Sequence, residues 1–273
     1  FTGAVTITTN DNSGTDADVT IDGGTTALTL AASTIDGDLT VRSGNASGIT
    51  DSGTVTVGGN LAATTDAANG LINLGTLAVN GTVALTTNGN GAATVVNDAG
   101  LTLAASTVGG NLAATATTGN MTDSGALAIT GTTTLTTSAN NATIALDTTT
   151  NAFTGAVTIT TNDNSGTDAD VTIDGGTTAL ILAASTIDGD LAVRSGNASG
   201  ITDSGTVTVG GNLAATTDAN NGLINLGTLA VDGTVQLTTN GNGAATVVND
   251  AGLDFAASTV GGALSATATT GNM

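Results

Sequence analysis

IDGDLTVRSGNASGITDSGTVTVGGNLAA, residues 35–63, holds one structural period and the start of the next. Ile35, with Gly37 two positions on, opens an alternating run in which Leu39 and Val41 are the apolar members. A polar turn follows, and Ile49, Val55 and Val57 resume the alternation before the glycine motif returns at Gly59. A period of two places successive side chains on opposite faces of a strand. Thr, Val and Ile suit a pleated surface, and Gly, Asn and Asp supply the turns. Short strands with one apolar face cannot bury that face alone; stacked on the next period they can, which is the logic of a solenoid.

The apolar-x-Gly motif recurs along the chain. Its glycines are Gly3, Gly37, Gly59, Gly81, Gly110, Gly131 and Gly155, at spacings of 34, 22, 22, 29, 21 and 24 residues. A longer period overlies this one: residues 1–121 recur at 153–273 with nine substitutions. The organisation expected is a long tandem repeat over 1–152 and an incomplete second copy over 153–273, forming one continuous solenoid. The fold class expected is all-β, a right-handed parallel β-helix (β-solenoid) with about six coils per 152-residue repeat. At about 4.8 Å per coil, one repeat rises roughly 29 Å. Other inward residues expected are Leu61, Ala63, Val83 and Leu85, then Leu71, Leu77 and Val79, then Met121, Leu127 and Ile129. The two long spacings imply extra residues, expected at 9–19 (161–171 in the second copy) and at 88–100, as protruding loops or corners. Among the substitutions, Leu103/Phe255 stays apolar at an inward position. Thr29/Ile181 faces outward, which makes Ile181 a candidate lateral contact. The chain starts at Phe1 and stops inside the pattern, so a window on a longer array is expected.

Composition narrows the function. The 273 residues include no Cys, Pro, Trp, Tyr, His, Lys or Glu, and the only cations are Arg42 and Arg194. A sandwich of immunoglobulin type needs an aromatic core that this chain lacks. The net charge of −20 argues against nucleic acid and anionic membranes as partners. No run of 18 apolar residues exists, so no membrane insertion is expected. The absence of cysteine is compatible with secretion without disulfides.

The same absences close most catalytic routes: no triad, no Schiff base and no zinc site can be assembled. The chain is not expected to be an enzyme. Thr-Asp-Ser-Gly at 50–53, 122–125 and 202–205 resembles the aspartic-protease signature. It reads better as a turn, with Asp bonding the backbone ahead and Gly at positive φ. Arg42 beside Asp36 and Asp38, and Arg194 beside Asp188 and Asp190, read as exposed ion pairs; a polysaccharide-lyase groove is the enzymatic alternative. Thr8/Thr9, Thr64/Thr65, Thr86/Thr87 and Thr136/Thr137 form a ladder that raises ice binding as another alternative. No resident cofactor is required. Calcium is the ion the acidic stretches would take, through Asp11, Asp16, Asp18 and Asp22, with Asn12, and through Asp163, Asp168, Asp170 and Asp174. The EF-hand and Gly-Gly-x-Gly-x-Asp patterns are absent, and a solvated acidic loop is the competing reading.

GNLAATATTGNMTDSGALAITGTTTLTT (110–137), FTGAVTIT and LTLAASTVGGNL resemble the repeat regions of very large secreted bacterial proteins. These are the filamentous-haemagglutinin-like adhesins and related β-strand-repeat surface proteins. The resemblance covers essentially the whole chain. It implies a right-handed β-helix exported to the bacterial cell surface, serving as a stalk in adhesion, cell-cell contact or biofilm. The partner expected is the chain itself, end to end or laterally, or the continuation of a longer chain. A binding module for cell-surface glycans or receptors is the alternative.

Overall fold

In the computed structural model residues 2–10, 16–162 and 169–273 are described. Among them there is no helix, and the strands stack in parallel as a β-solenoid. The chain divides into two compact units, Phe1–Thr133 and Thr134–Met273.

In the first unit the strands are β1 (Val19–Asp22), β2 (Leu28–Leu30), β3 (Ser33–Ile35), β4 (Leu39–Ser43), β5 (Ile49–Asp51), β6 (Val55–Val57), β7 (Leu61–Ala68) and β8 (Ile72–Val79). They continue as β9 (Thr82–Asn88), β10 (Ala93–Asn97), β11 (Leu101–Leu103), β12 (Ser106–Val108), β13 (Leu112–Ala116), β14 (Met121–Asp123) and β15 (Leu127–Ile129). A first sheet runs β1-β4-β7-β9-β11-β14, with β12 and β15 alongside. A second runs β2-β5-β8-β10-β13, with β3 and β6 alongside. The coil length follows from the register. Leu39 pairs with Leu61 and Leu61 with Val83, two steps of 22 residues. Ala93 pairs with Leu112, a step of 19, and Ile49 with Ile72, a step of 23.

The long spacing from Gly81 to Gly110 is not a coil with a loop inserted. Gly37, Gly59 and Gly81 lead into β4, β7 and β9 of the first sheet, whereas Gly110 leads into β13 of the second. Between Gly81 and Gly110 the chain makes β9, β10, β11 and β12, one and a half turns of short coils. The stretch 88–100, expected to protrude, contains β10, which pairs on both sides. The interval from Gly3 to Gly37 does the same in reverse. Val5 and Thr8 bridge to Leu30 and Thr34 of the second sheet, and β1 then occupies the first. Of the excess expected at 9–19, residues 11–15 lie outside the described residues, and Val19 already belongs to β1. In the second copy, residues 163–168 of the stretch 161–171 lie outside them.

The core is thin and aliphatic. Leu39, Val41, Leu61, Ala63, Val83 and Leu85 are buried as expected, and so are Met121, Leu127 and Ile129. Each buried Val, Leu or Ile contributes about 1.5–3 kcal/mol. The expectation for Leu71 fails by one residue: Ile72 fills the core, and Leu71 offers its carbonyl to Ile49 N at 2.9 Å. Only the second residue of each Thr pair points inward. Thr65 Oγ1 donates to Gly70 O (2.8 Å) and Thr87 Oγ1 to Gly91 O (2.7 Å), so the buried hydroxyls close the turns.

The motif glycine has a steric cause. At the corner after it, polar side chains fasten coil to coil: Asp18 Oδ1 accepts from Asp38 N (2.9 Å), Asp38 Oδ1 from Asn60 N (2.7 Å) and Asn60 Oδ1 from Thr82 N (2.9 Å). A Cβ at Gly59 would lie 2.2 Å from Asp38 Oδ1, and one at Gly81 2.5 Å from Gly59 O. Only hydrogen fits where the backbones approach so closely.

The second unit repeats the scheme. One sheet runs through Ile144–Leu146, Val171–Asp174, Leu191–Ser195, Leu213–Asn220, Thr234–Asn240 and Asp254–Phe255. The other runs through Val157–Asn162, Leu180–Leu182, Ile201–Asp203, Ile224–Val231, Ala245–Asn249 and Leu264–Ala268.

Candidate functional site

Four of the acidic residues singled out for calcium, Asp18, Asp22, Asp170 and Asp174, accept from backbone amides. Asp18 is the first rung of the corner ladder, and Asp170 Oδ1 accepts from Asp190 N (2.9 Å) at the matching corner. Asp22 Oδ1 accepts from Gly24 N and Asp174 Oδ1 from Gly176 N, each at 2.7 Å, which closes the turn after the strand. Asp16 is exposed. Asp11, Asp163 and Asp168, with Asn12, lie outside the described residues. Among the described residues no group of three or more acidic side chains is placed to hold a metal ion.

Both arginines sit on the outer face of their strands, Arg42 on β4 and Arg194 on Leu191–Ser195. Arg42 is level with Asp22 on the preceding coil and bonds through Nε to Asp66 Oδ2 on the following one. Arg194 bonds to Asp218 in the same way and lies 3.9 Å from Asp174 Oδ2. These partners are not Asp36, Asp38, Asp188 or Asp190. The hydrogen bond and charge of Asp66 raise the Arg42 pKa above its ordinary value, and Asp218 does the same for Arg194. In the second unit a groove of about 450 Å³ runs over this ladder, lined by Asp147, Thr172, Asp174, Ala192, Arg194 and Asp218. With three carboxylates and one guanidinium it disfavours anionic ligands. The Arg194 side chain is 52% exposed, so its ion pair is screened by water. Arg194→Ala is expected to lower the unfolding midpoint slightly at low ionic strength and not measurably in high salt, read by thermal denaturation in both buffers.

The Thr-Asp-Ser-Gly corner departs from the expected turn. The Asp51 carboxylate does not bond its own turn; it accepts from Gly75 N (3.1 Å), Thr76 N (2.7 Å) and Thr76 Oγ1 (2.9 Å) on the next coil. Asp203 grips Gly227 and Thr228 likewise. Gly53 is not at positive φ; a Cβ there would lie 3.0 Å from Ala32 N, so close stacking again selects glycine. Gly75 with Thr76, and buried Asn97, are structural features the sequence reading missed. The available signal was a glycine interrupting the alternating run INLGTLAV, which marks a bulge.

A family model described as repeats of unknown function, DUF5649, matches residues 16–70, 90–160 and 168–226. The chain belongs to this DUF5649 family. No curated protein and no solved structure matches it. The stretches matched by the DUF5649 model contain both Asp–Arg–Asp ladders and all three Thr-Asp-Ser-Gly corners. The bulges gripped by Asp51 and Asp203 fall beside those stretches, at Gly75–Thr76 and Gly227–Thr228.

Proposed function

We propose that this chain is a structural segment of an extracellular bacterial β-solenoid fibre or adhesin stalk. It supplies length and stiffness for attachment, cell-cell contact or biofilm at the cell surface. The observation that carries this reading is where the polar side chains are spent. Asp18, Asp38, Asn60 and Asp51 each fasten one coil to the next, and their counterparts in the second unit do the same. A chain selected for turnover would keep such groups turned toward a substrate; one selected for stiffness would commit them to stacking. Coils of this kind associate through open ends, or continue covalently in a longer chain. The net charge of −20 keeps neighbouring fibres apart unless divalent cations bridge them. Calcium enters this reading as such a bridge.

Electron microscopy of the native material, with calcium and again with EDTA, tests it. Uniform fibres with an axial spacing near 4.8 Å are expected, bundled in calcium and separated in EDTA. Globular particles in both buffers would overturn the fibre role, and fibres indifferent to EDTA would remove calcium from it.

A further inference from the structure

The strand β8 contains a defect with no structural use for its glycine. Leu74 pairs with Val95 and Leu77 with Asn97, so Gly75 and Thr76 together oppose the single residue Val96. This is a β-bulge, and its two amides are satisfied by Asp51 on the preceding coil. Beside it lies an opening of about 240 Å³, lined by Thr54, Thr76, Leu77, Val96, Asp98 and Thr117. In the second unit an opening of the same volume is lined by the residues 152 positions on: Thr206, Thr228, Leu229, Val248, Asp250 and Thr269.

Gly75 is not in the left-handed region, and a Cβ built on it would find nothing closer than Asp51 Oδ1 at 4.0 Å. For Gly227 the nearest atom is Asp203 Oδ1 at 3.9 Å. Compare Gly109, where a Cβ would lie 1.7 Å from Gly89 O. Glycine in a strand weakens it unless a bend or a closely approaching group calls for it. Here neither backbone conformation nor packing within the chain does. What the missing side chain achieves is an open notch.

We infer that the notches at Gly75 and Gly227 are saccharide-binding sites, each taking one neutral or amino-bearing sugar residue of a glycan. The lining supports this class. Thr54, Thr76 and Thr117 bring hydroxyls from separate coils. Thr76 Oγ1 already donates to Asp51 and so presents an acceptor. Asp98 is exposed and its carboxylate accepts from sugar hydroxyls or an ammonium group. Half-buried Val96 supplies the apolar surface against which a sugar's C–H face packs, while Leu77 beneath it faces the core. The carboxylates and the net charge of −20 select against uronic or sulfated sugars. The lining spans three coil spacings, about 14 Å, so a glycan lies along the stacking direction. Two equal sites on one chain raise avidity for a multivalent glycan surface. The inference does not rest on the fibre role: fibres that bind no sugar would sink these sites alone, and a sugar-binding globule would sink the fibre role alone.

The test uses the full 273-residue chain. Maltotriose, cellotriose, chitotriose and the glucosamine trimer are titrated by calorimetry and saturation-transfer NMR, with trigalacturonate as the acidic comparator. At least one neutral or amino trisaccharide is expected to bind two sites per chain, and trigalacturonate to bind neither. Gly75→Ala and Gly227→Ala are each expected to reduce the stoichiometry from two to one, and the double variant to abolish binding. Far-UV circular dichroism and the unfolding midpoint should be unchanged, because the added methyl group meets open space. Should an alanine variant misfold, Thr117→Val with Thr269→Val, both at exposed positions, is expected to give the same loss. No binding by any neutral or amino probe, equal binding of trigalacturonate, or full binding by the folded variants would each overturn the proposal.

Discussion

Asn97→Ala is expected to cost about 3–5 kcal/mol and to expose the Val79 amide to exchange. Asn97 is 1% exposed. Its Oδ1 accepts from Val79 N at 2.8 Å, and its Nδ2 donates to Val79 O at 3.0 Å and to Gly100 O at 2.6 Å. The reason lies in the register. β10 leaves the second sheet at Asn97, opposite Leu77, while β8 continues to Val79. The amide side chain therefore stands in for the backbone of a strand that has ended. Alanine would leave the buried amide and carbonyl of Val79 without partners, each worth about 1–3 kcal/mol before relaxation, and would also release the part-buried Gly100 carbonyl. Urea denaturation gives the global cost. Hydrogen exchange at Val79 gives the local one, which matters because stacked coils need not unfold all at once. Asn249 holds Val231 and Gly252 in the same way, so the variant there should behave alike. A loss below about 1 kcal/mol, the scale of an ordinary exposed hydrogen bond, would refute the surrogate-strand account.

Gly48→Ala is the second change expected to be severe, at about 4 kcal/mol or more. Gly48 sits at φ +65, and a Cβ there would lie 1.7 Å from Leu71 O and 2.7 Å from Leu71 C. The obstruction is the backbone of the next coil, whose carbonyl accepts from Ile49 N at 2.9 Å. Relief would require breaking that rung or shifting the coil. Gly75→Ala is the internal control, since it adds the same methyl group in the same solenoid where nothing is in the way. Thermal unfolding of the two variants side by side should give a large drop for the first and none for the second. Equal stabilities would show that close coil stacking does not select the glycines.

Strands and core were legible because they are local. Leu39 and Val41 alternate with Thr40 and Arg42, and Val83 and Leu85 with Thr82, Ala84 and Thr86, and burial follows directly. The half-turn shifts were not legible, because a spacing counts residues without saying how they are spent. Twenty-nine residues between Gly81 and Gly110 fit a coil with a loop as well as one and a half short coils. The stretch ATVVN decides the matter, and it ends in an inward polar residue that breaks the apolar pattern. What repays Asn97 lies 18 residues back, at Val79. The arginine partners were missed for a similar reason. Along a strand Asp38 and Arg42 are four residues apart, roughly 13 Å, while the next coil is only about 4.8 Å away. Asp66, 24 residues on in sequence, is therefore the nearer carboxylate. The notch at Gly75 depends on an empty space, which no residue spells out.

The shift of the glycine motif from one sheet to the other limits how such a gene can grow or shrink. Removing residues 61–82, one 22-residue coil, would join Asn60 to Val83 and leave every later strand in its own sheet. Removing the 29 residues from Gly81 to Gly109 would deliver Leu112 into the sheet opposite its present one and turn the two flanks of everything downstream into each other's place. Recombination that lengthens the array while keeping each flank's surface constant must therefore cross over in phase with both shifts. The near-identical recurrence of sequence at 152 residues, rather than at 22, is the spacing such crossovers leave behind.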